Sequence, residues 1–197
     1  MRVKSNWFRG AQAKTPQQNA SAVAFIAWRI ADNALKNMRR ADFDIAVGPQ
    51  YFEFLSEFLI FLVVSADRIA YRRMSAEDRA TFTSAVANRA GEMLADNWNE
   101  LLGGELAAHK AAFIDRLNQR AGEYAEYEYG EHGPSFSFLR HFGYALQDVM
   151  DERDKTWVID QVMAIDAPKA VATLEKAVRG LFDDERPQRR SSAASAE

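Results

Sequence analysis

Residues 51–71, YFEFLSEFLIFLVVSADRIAY, decide the fold, because apolar side chains occupy every side of a helical wheel drawn through them. A helix with this pattern must be buried all round, inside a bundle or across an interface. Charged residues toward both ends leave only residues 58–66 without a charge, whereas a membrane span needs about 20 apolar residues. We therefore predict a central buried helix in a helical domain, and no membrane partner.

Helical periodicity continues on both sides of this stretch. Apolar residues three and four positions apart predict a first helix over 15–41, opened by a Thr-Pro pair. After the central helix, Ser75 and Asp78 form a predicted capping box that begins a third helix. The glycine pair at residues 103–104 is expected to end that helix.

The second half of the chain has the same organisation. Helices are predicted over 105–129 and 135–152, separated by the breaker GEHGP at 130–134, and a further helix is expected to restart at Pro168. No segment shows the alternation typical of strands. The predicted fold class is therefore all-α: an antiparallel bundle of about six helices around a central buried helix at 51–73.

Composition divides the chain into three parts. Residues 15–182 form one predicted helical domain, for which 48% hydrophobic residues provide an adequate core. Residues 1–14 are a basic irregular arm, and residues 183–197 hold no apolar side chain larger than Ala, so we expect a disordered polar tail. The chain has no Cys, which excludes disulfides and thiol chemistry. No apolar segment follows the basic start, so we expect a cytoplasmic protein.

Basic residues are concentrated at the start of the chain. Residues 1–41 carry eight basic side chains and one acidic side chain, a net charge of +7, and the remainder carries −10. This basic region can face the acidic remainder, within one chain or in a second copy, or it can bind nucleic acid or an anionic membrane. We favour the first interpretation, because the acidic remainder would repel phosphate.

Four acidic residues are candidate ligands for a divalent metal: Glu53, Glu57, Glu92 and Asp96. Glu53 and Glu57 interrupt the apolar first half of the central helix, and a buried carboxylate must be paired or coordinated. The favoured interpretation is a structural ion pair or a narrow exposed edge. A metal or ligand site is the alternative.

Arginines of the first helix are the expected ion-pair partners of these glutamates: Arg29, or Arg39 and Arg40. A third pair at helical spacing, Glu105 and His109, needs no function at the start of a helix. The Glu-x-x-His spacing of di-iron bundles occurs nowhere in the chain, which argues against such a centre.

An acidic and aromatic segment, EYAEYEYGEH at residues 123–132, is a candidate surface for a partner. Its charge complements that of the basic region, although tyrosines at a helix end more often pack their rings and leave the hydroxyl in water. The candidate partner-binding residues are Tyr124, Tyr127, Tyr129, Arg39 and Arg40.

Catalytic signatures are missing from the sequence, including a Gly-rich phosphate loop, a Gly-x-Ser-x-Gly elbow and a His-Glu-x-x-His pair. We predict no cofactor. The favoured function is a non-enzymatic interaction or regulatory module that self-associates as a homodimer. The alternative is a bundle that binds a ligand or divalent metal through Glu53, Glu57 and facing residues, perhaps acting as a hydrolase. Nucleic-acid binding through the basic arm is less favoured.

Overall fold

The computed structural model of this chain describes residues 16–183, most of which are helical. The helices are α1 (Pro16–Arg40), α2 (Pro49–Tyr71), α3 (Ala76–Leu102), α4 (Leu106–Tyr124), α5 (Phe136–Val149), α6 (Lys155–Gln161) and α7 (Ala167–Asp183). A π-helical turn at Val162–Asp166 joins α6 to α7. A hairpin between α4 and α5 has two-residue strands, β1 (Tyr129–Gly130) and β2 (Gly133–Pro134). The predicted all-α fold class is confirmed.

Helix α2 is the central element, as predicted. It packs against α1, α3, α4, α5 and α7, and Phe54, Phe58 and Leu59 in its middle are completely buried. The ring of Phe61 stacks on that of Phe142 from α5, with the centroids 4.1 Å apart. Phe58 meets the same ring edge-on at 5.0 Å. These contacts fix α5 against the central helix.

Two predicted helix ends are confirmed. Ser75 Oγ accepts a hydrogen bond from the backbone N–H of Asp78 at 3.1 Å and donates to the Asp78 carboxylate at 2.8 Å. Ser75 is therefore the N-cap of α3, as predicted, but the Asp78 carboxylate accepts from the Ser75 hydroxyl and not from the Ser75 backbone N–H, as it would in a capping box. Gly103 follows the last residue of α3 with a φ of 75°, a conformation that favours glycine. At Gly104, a Cβ would collide with the imidazole of His109.

The prediction that the fourth helix runs to residue 129, and that the chain has no strand, is wrong. Helix α4 ends at Tyr124, and in the hairpin Tyr129 pairs with Pro134 and Gly130 with Gly133. Gly133 has a φ of 103°, which permits a tight turn that other residues rarely adopt. With two residues in each strand, the hairpin is too short to give an alternating pattern.

The final helix, α7, begins at Ala167, one residue before the expected restart at Pro168, but no break precedes it, because the chain stays helical from α6 through the π turn into α7. In the π turn the N–H of Ala167 donates to the carbonyl of Val162, five residues earlier. Pro168 has no N–H to donate, and its ring clashes with the preceding turn of a regular α-helix. A locally widened turn accommodates such an interruption.

The predicted arm at 1–14, the predicted N-cap Thr15 and the predicted tail at 183–197 lie outside the described residues, apart from Asp183 at the end of α7. Among the helices of residues 16–183, none combines the length and the apolar character that crossing a membrane requires.

Candidate functional site

A group of charged side chains joins α2, α4 and α5, and it includes two of the predicted metal ligands. Glu53 and Glu57 lie one turn apart on α2, and Arg116 and Arg120 lie one turn apart on α4. Helices α2 and α4 pack on each other, and the two pairs meet there. We define the charge cluster as Glu53, Glu57, Arg116, Arg120, Glu123 and His141.

Glu57 is the buried acid of the charge cluster, with 4% of its surface exposed. Arg120 donates to its two carboxylate oxygens from Nε and Nη2, each at 3.2 Å. Arg116 Nε lies 3.9 Å from Glu57 Oε1, and Arg116 Nη1 donates to Glu53. Burial raises the pKa of Glu57, while the hydrogen bonds from Arg120 oppose that rise. The forked guanidinium thus satisfies a carboxylate that is costly to bury alone.

Glu123 extends the charge cluster toward α5. Its carboxylate accepts a hydrogen bond from Arg120 Nη1 at 2.9 Å and another from Gln119 Nε2 at 3.0 Å. Burial acts to raise the pKa of Glu123, but these hydrogen bonds outweigh burial and the pKa is lowered. Burial alone would lower the pKa of Arg120, but its hydrogen bonds to Glu57 and Glu123 outweigh burial, and the pKa is raised. The guanidinium therefore stays charged.

His141 of α5 completes the charge cluster. Its buried Nε2 lies 3.0 Å from a carboxylate oxygen of Glu123. The imidazole contacts the rings of Tyr124 and Tyr127, with centroid distances of 4.8 and 5.2 Å. Burial lowers the pKa of His141 although Glu123 opposes it, so the imidazole is neutral at neutral pH.

The interpretation of Glu53 and Glu57 as members of a structural ion pair is confirmed, but the predicted partners from α1 are wrong. Arg116 and Arg120 of α4 take that role, because α4 covers the side of α2 on which the glutamates lie. The two arginines have the same spacing of four residues as the two glutamates. Lys36 and Arg40 have the same spacing, as do Arg68 and Arg72, so the spacing alone does not identify the partners.

The arginines of α1 have other surroundings. Arg39 donates from Nε and Nη2 to the carbonyl of Ile45, at 3.0 and 2.6 Å. Its guanidinium also lies over the ring of Tyr51, 5.5 Å from the centroid. Arg29 and Arg40 are exposed. Arg39 therefore fixes the loop that follows α1, and Arg40 is left accessible to solvent.

The three candidate tyrosines differ in their exposure. Tyr124 is only 1% exposed, and its ring lies 4.5 Å from that of Phe138, so it belongs to the core and does not present its ring at the surface. Tyr127 and Tyr129 are half-buried. One of the arginines that contact this segment is Arg72, just beyond the end of α2, which donates to the carbonyl of Tyr129 at 3.3 Å. A partner-binding role for these tyrosines stays a prediction.

The other two predicted metal ligands lie on α3. Glu92 forms ion pairs with Arg89 at 3.2 Å and Lys110 at 3.1 Å, and Asp96 is exposed. Within residues 16–183, no group of three or more His, Asp and Glu side chains is arranged to hold a metal ion. The predicted acids are thus dispersed, and three of the four have basic partners.

A row of exposed side chains lies on the outer face of α5. Phe136 is 68% exposed and Tyr144 is 42% exposed. Between them, the exposed Arg140 donates from Nε to the Tyr144 hydroxyl at 2.9 Å and lies over its ring. Asp148, one turn further, is also exposed. Positions four apart share one face of a helix, and we define the α5 stripe as Phe136, Arg140, Tyr144 and Asp148.

Comparison with known proteins gives no match to this chain: no protein family, no curated protein and no solved structure is similar to it.

Proposed function

We propose that this protein is a non-enzymatic helical interaction module that forms a homodimer through the α5 stripe. The observation that supports this proposal is the stripe itself. Its two aromatic residues project from a helix whose opposite face is fully buried, with Phe138, Phe142 and Leu146 all inaccessible. Large apolar side chains grouped on the surface of a soluble domain are typical of interaction sites. Tyr and Arg are also enriched at the centres of protein interfaces.

The order of charges along the α5 stripe favours a second copy of the chain as the partner. Arg140 lies four residues before Tyr144, and Asp148 lies four residues after it. If two copies of α5 pack antiparallel about Tyr144, each Arg140 faces the Asp148 of the other copy. A two-fold axis repeats every contact, so the interface gains two ion pairs beside stacked tyrosines. Among the described residues, Arg140 makes a hydrogen bond through Nε only, which leaves its terminal nitrogens for this contact.

A second group of exposed apolar residues, at the turn between α3 and α4, is less suited to self-association. Leu101, Leu102 and Leu106 are 59%, 43% and 45% exposed. The exposed acids Glu100 and Glu105 flank them. Two copies meeting at this turn would place acids near acids, which is unfavourable. The α5 stripe carries both signs of charge and avoids this repulsion.

The alternative of a metal-dependent hydrolase finds less support, because Arg116 and Arg120 already pair with the carboxylates of Glu53 and Glu57. The basic arm that would bind nucleic acid, residues 1–14, lies outside the described residues. A cytoplasmic location stays an expectation from the sequence.

A charge-swap series measured by sedimentation equilibrium tests the proposal. Arg140→Asp and Asp148→Arg each place like charges opposite one another twice in the dimer, so each should weaken dimerisation about tenfold or more. The double variant restores opposite charges in reversed order. It should regain most of the wild-type dimerisation constant.

Two matched variants serve as controls. Arg29→Asp reverses an exposed charge on α1, and Tyr71→Ser removes a tyrosine whose 68% exposure equals that of Phe136. Both should leave the dimerisation constant unchanged, whereas Phe136→Ser should weaken it. The proposal is refuted if the single swaps behave like the controls, or if the double swap fails to recover dimerisation.

A further inference from the structure

A pocket of about 260 Å³ lies between α1 and the beginning of α7. Its apolar wall consists of Ile30, Ala34 and Ala170. Small-molecule sites typically have volumes of about 300–1,000 Å³, so this pocket suits a ligand smaller than a typical drug molecule. Its lining residues lie on α1, the π turn and α7, whereas the charge cluster lies on α2, α4 and α5.

The pocket is rich in positive charge. Three basic side chains line it, Lys36 and Arg40 from α1 and Lys169 from α7, against one acid, Asp166. Lys36 is paired with Asp32 at 2.6 Å on the exposed surface. Arg40 and Lys169 are both exposed, and within residues 16–183 no carboxylate is close enough to form an ion pair with either, although Lys169 interacts electrostatically with Asp166 at longer range. The protein as a whole has a net charge of −3, so the charge of this pocket is opposite in sign to the charge of the whole chain. Clefts lined by one sign of charge concentrate ions of the opposite sign.

The π turn contributes the acidic residue of the pocket. Asp166, its last residue, is 3% exposed and accepts a hydrogen bond from Gln161 Nε2 at 3.0 Å. π turns within helices are rare and often occur at functional sites. Here the turn places a carboxylate, which accepts hydrogen bonds, in a pocket that is otherwise cationic.

Uncharged polar groups add directional contacts. Asn33 and Asn37 line the pocket one turn apart on α1, and Thr173 lines it from α7. Amide groups donate and accept hydrogen bonds, so they suit the oxygens of an acid and a neighbouring hydroxyl equally well. The lining therefore combines cations for an acidic group with amides and a carboxylate for the remainder of a small polar molecule.

We propose that this pocket binds a small organic acid or phosphate ester through Lys36, Arg40 and Lys169. The negatively charged oxygens of a carboxylate or a phosphate supply the chemistry that these three side chains recognise, because guanidinium and ammonium groups form short, charge-assisted hydrogen bonds with both. A hydroxyl group on the ligand would donate to Asp166.

Titration of the full chain with inorganic phosphate and, separately, with acetate tests this proposal. Backbone amide shifts are followed by NMR at constant ionic strength, with sodium chloride as the reference titration. We expect saturable shifts confined to the second half of α1, the π turn and the first turns of α7. Saturation by phosphate alone or by acetate alone identifies which acidic group the pocket takes. Shifts that stay linear with both probes, or that match those with chloride, would overturn the proposal.

Paired double variants separate the pocket from general surface charge. Arg40→Gln with Lys169→Gln removes one pocket cation from each helix and should weaken binding about tenfold or more. Arg29→Gln with Lys176→Gln removes one exposed cation from each of the same two helices, outside the pocket, and should leave binding unchanged. Equal affinity in the two double variants would overturn the proposal, and unchanged amide spectra in the absence of probe confirm that each variant is folded.

Discussion

At the scale of single residues, Glu57 shows how an acid is accommodated in the middle of an apolar helix. Its carboxylate is almost inaccessible, and Arg120 approaches both of its oxygens. Arg120 also donates a hydrogen bond to Glu123. One guanidinium therefore pairs with an acid on α2 and with an acid on α4. A buried ion pair of this kind contributes little net stability compared with an apolar replacement, but the loss of one partner is costly.

We expect Arg120→Met to lower the free energy of unfolding by about 3–5 kcal/mol, because Glu57 would stay buried without its main partner. Replacing both residues, with Glu57→Leu added, should recover most of the loss. Arg89→Met, which breaks a half-exposed pair with Glu92, should cost less than about 1 kcal/mol. Urea denaturation followed by circular dichroism measures all three. If Arg120→Met proved as stable as Arg89→Met, the assigned role of Arg120 would be contradicted.

His141 provides a prediction about pH. Its pKa in the folded protein is lowered by burial, so the unfolded chain takes up a proton first as the pH falls, and folding is weakened. This contribution to stability is complete above the unfolded pKa of about 6.5 and declines as the pH falls below it. From pH 7 to about pH 5, the unfolding free energy of the wild type should therefore fall relative to that of His141→Phe. A difference that does not change with pH would contradict the burial of a neutral imidazole.

At the scale of elements, the sequence predicts the features that depend on local pattern. It does not predict features whose structure is determined by a tertiary contact or by one unusual turn. The all-round apolarity of α2 and the N-cap Ser75 are local signals, and the predicted buried helix and the predicted start of α3 are confirmed. The hairpin after α4 depends on the conformation of Gly133, and the π turn depends on how Pro168 is accommodated within a long helix. The partner of Glu57 depends on which helix covers it, and periodicity alone contains no such information.

The central position of α2 predicts that a charge in its middle is not tolerated. Leu59 is completely buried, so Leu59→Asp should cost about 4 kcal/mol or more, since it buries a carboxylate without a partner. Val47→Asp is the matched control, because Val47 precedes α2 and is 75% exposed. Thermal melting followed by circular dichroism distinguishes the two. A Leu59→Asp protein with an unchanged melting temperature would disprove the central position of α2.

At the scale of the whole molecule, the candidate features lie in different places, although the charge cluster and the α5 stripe share helix α5. The charge cluster lies where α2, α4 and α5 meet, the α5 stripe faces outward, and the pocket lies between α1 and α7. The sequence alone indicated Glu53 and Glu57 by their apolar context, and it indicated Arg40 by charge. The stripe and the pocket were not predicted from it, since exposure and concavity depend on how helices pack.

The proposed association of two copies of this chain is tested most directly by light scattering coupled to size exclusion at micromolar concentration. We expect a mass of twice the 22.3 kDa of one chain. Raising the salt concentration should weaken the dimer without abolishing it, because salt screens the Arg140–Asp148 contacts but not the aromatic ones. A mass of 22.3 kDa at both low and high salt would contradict the claim.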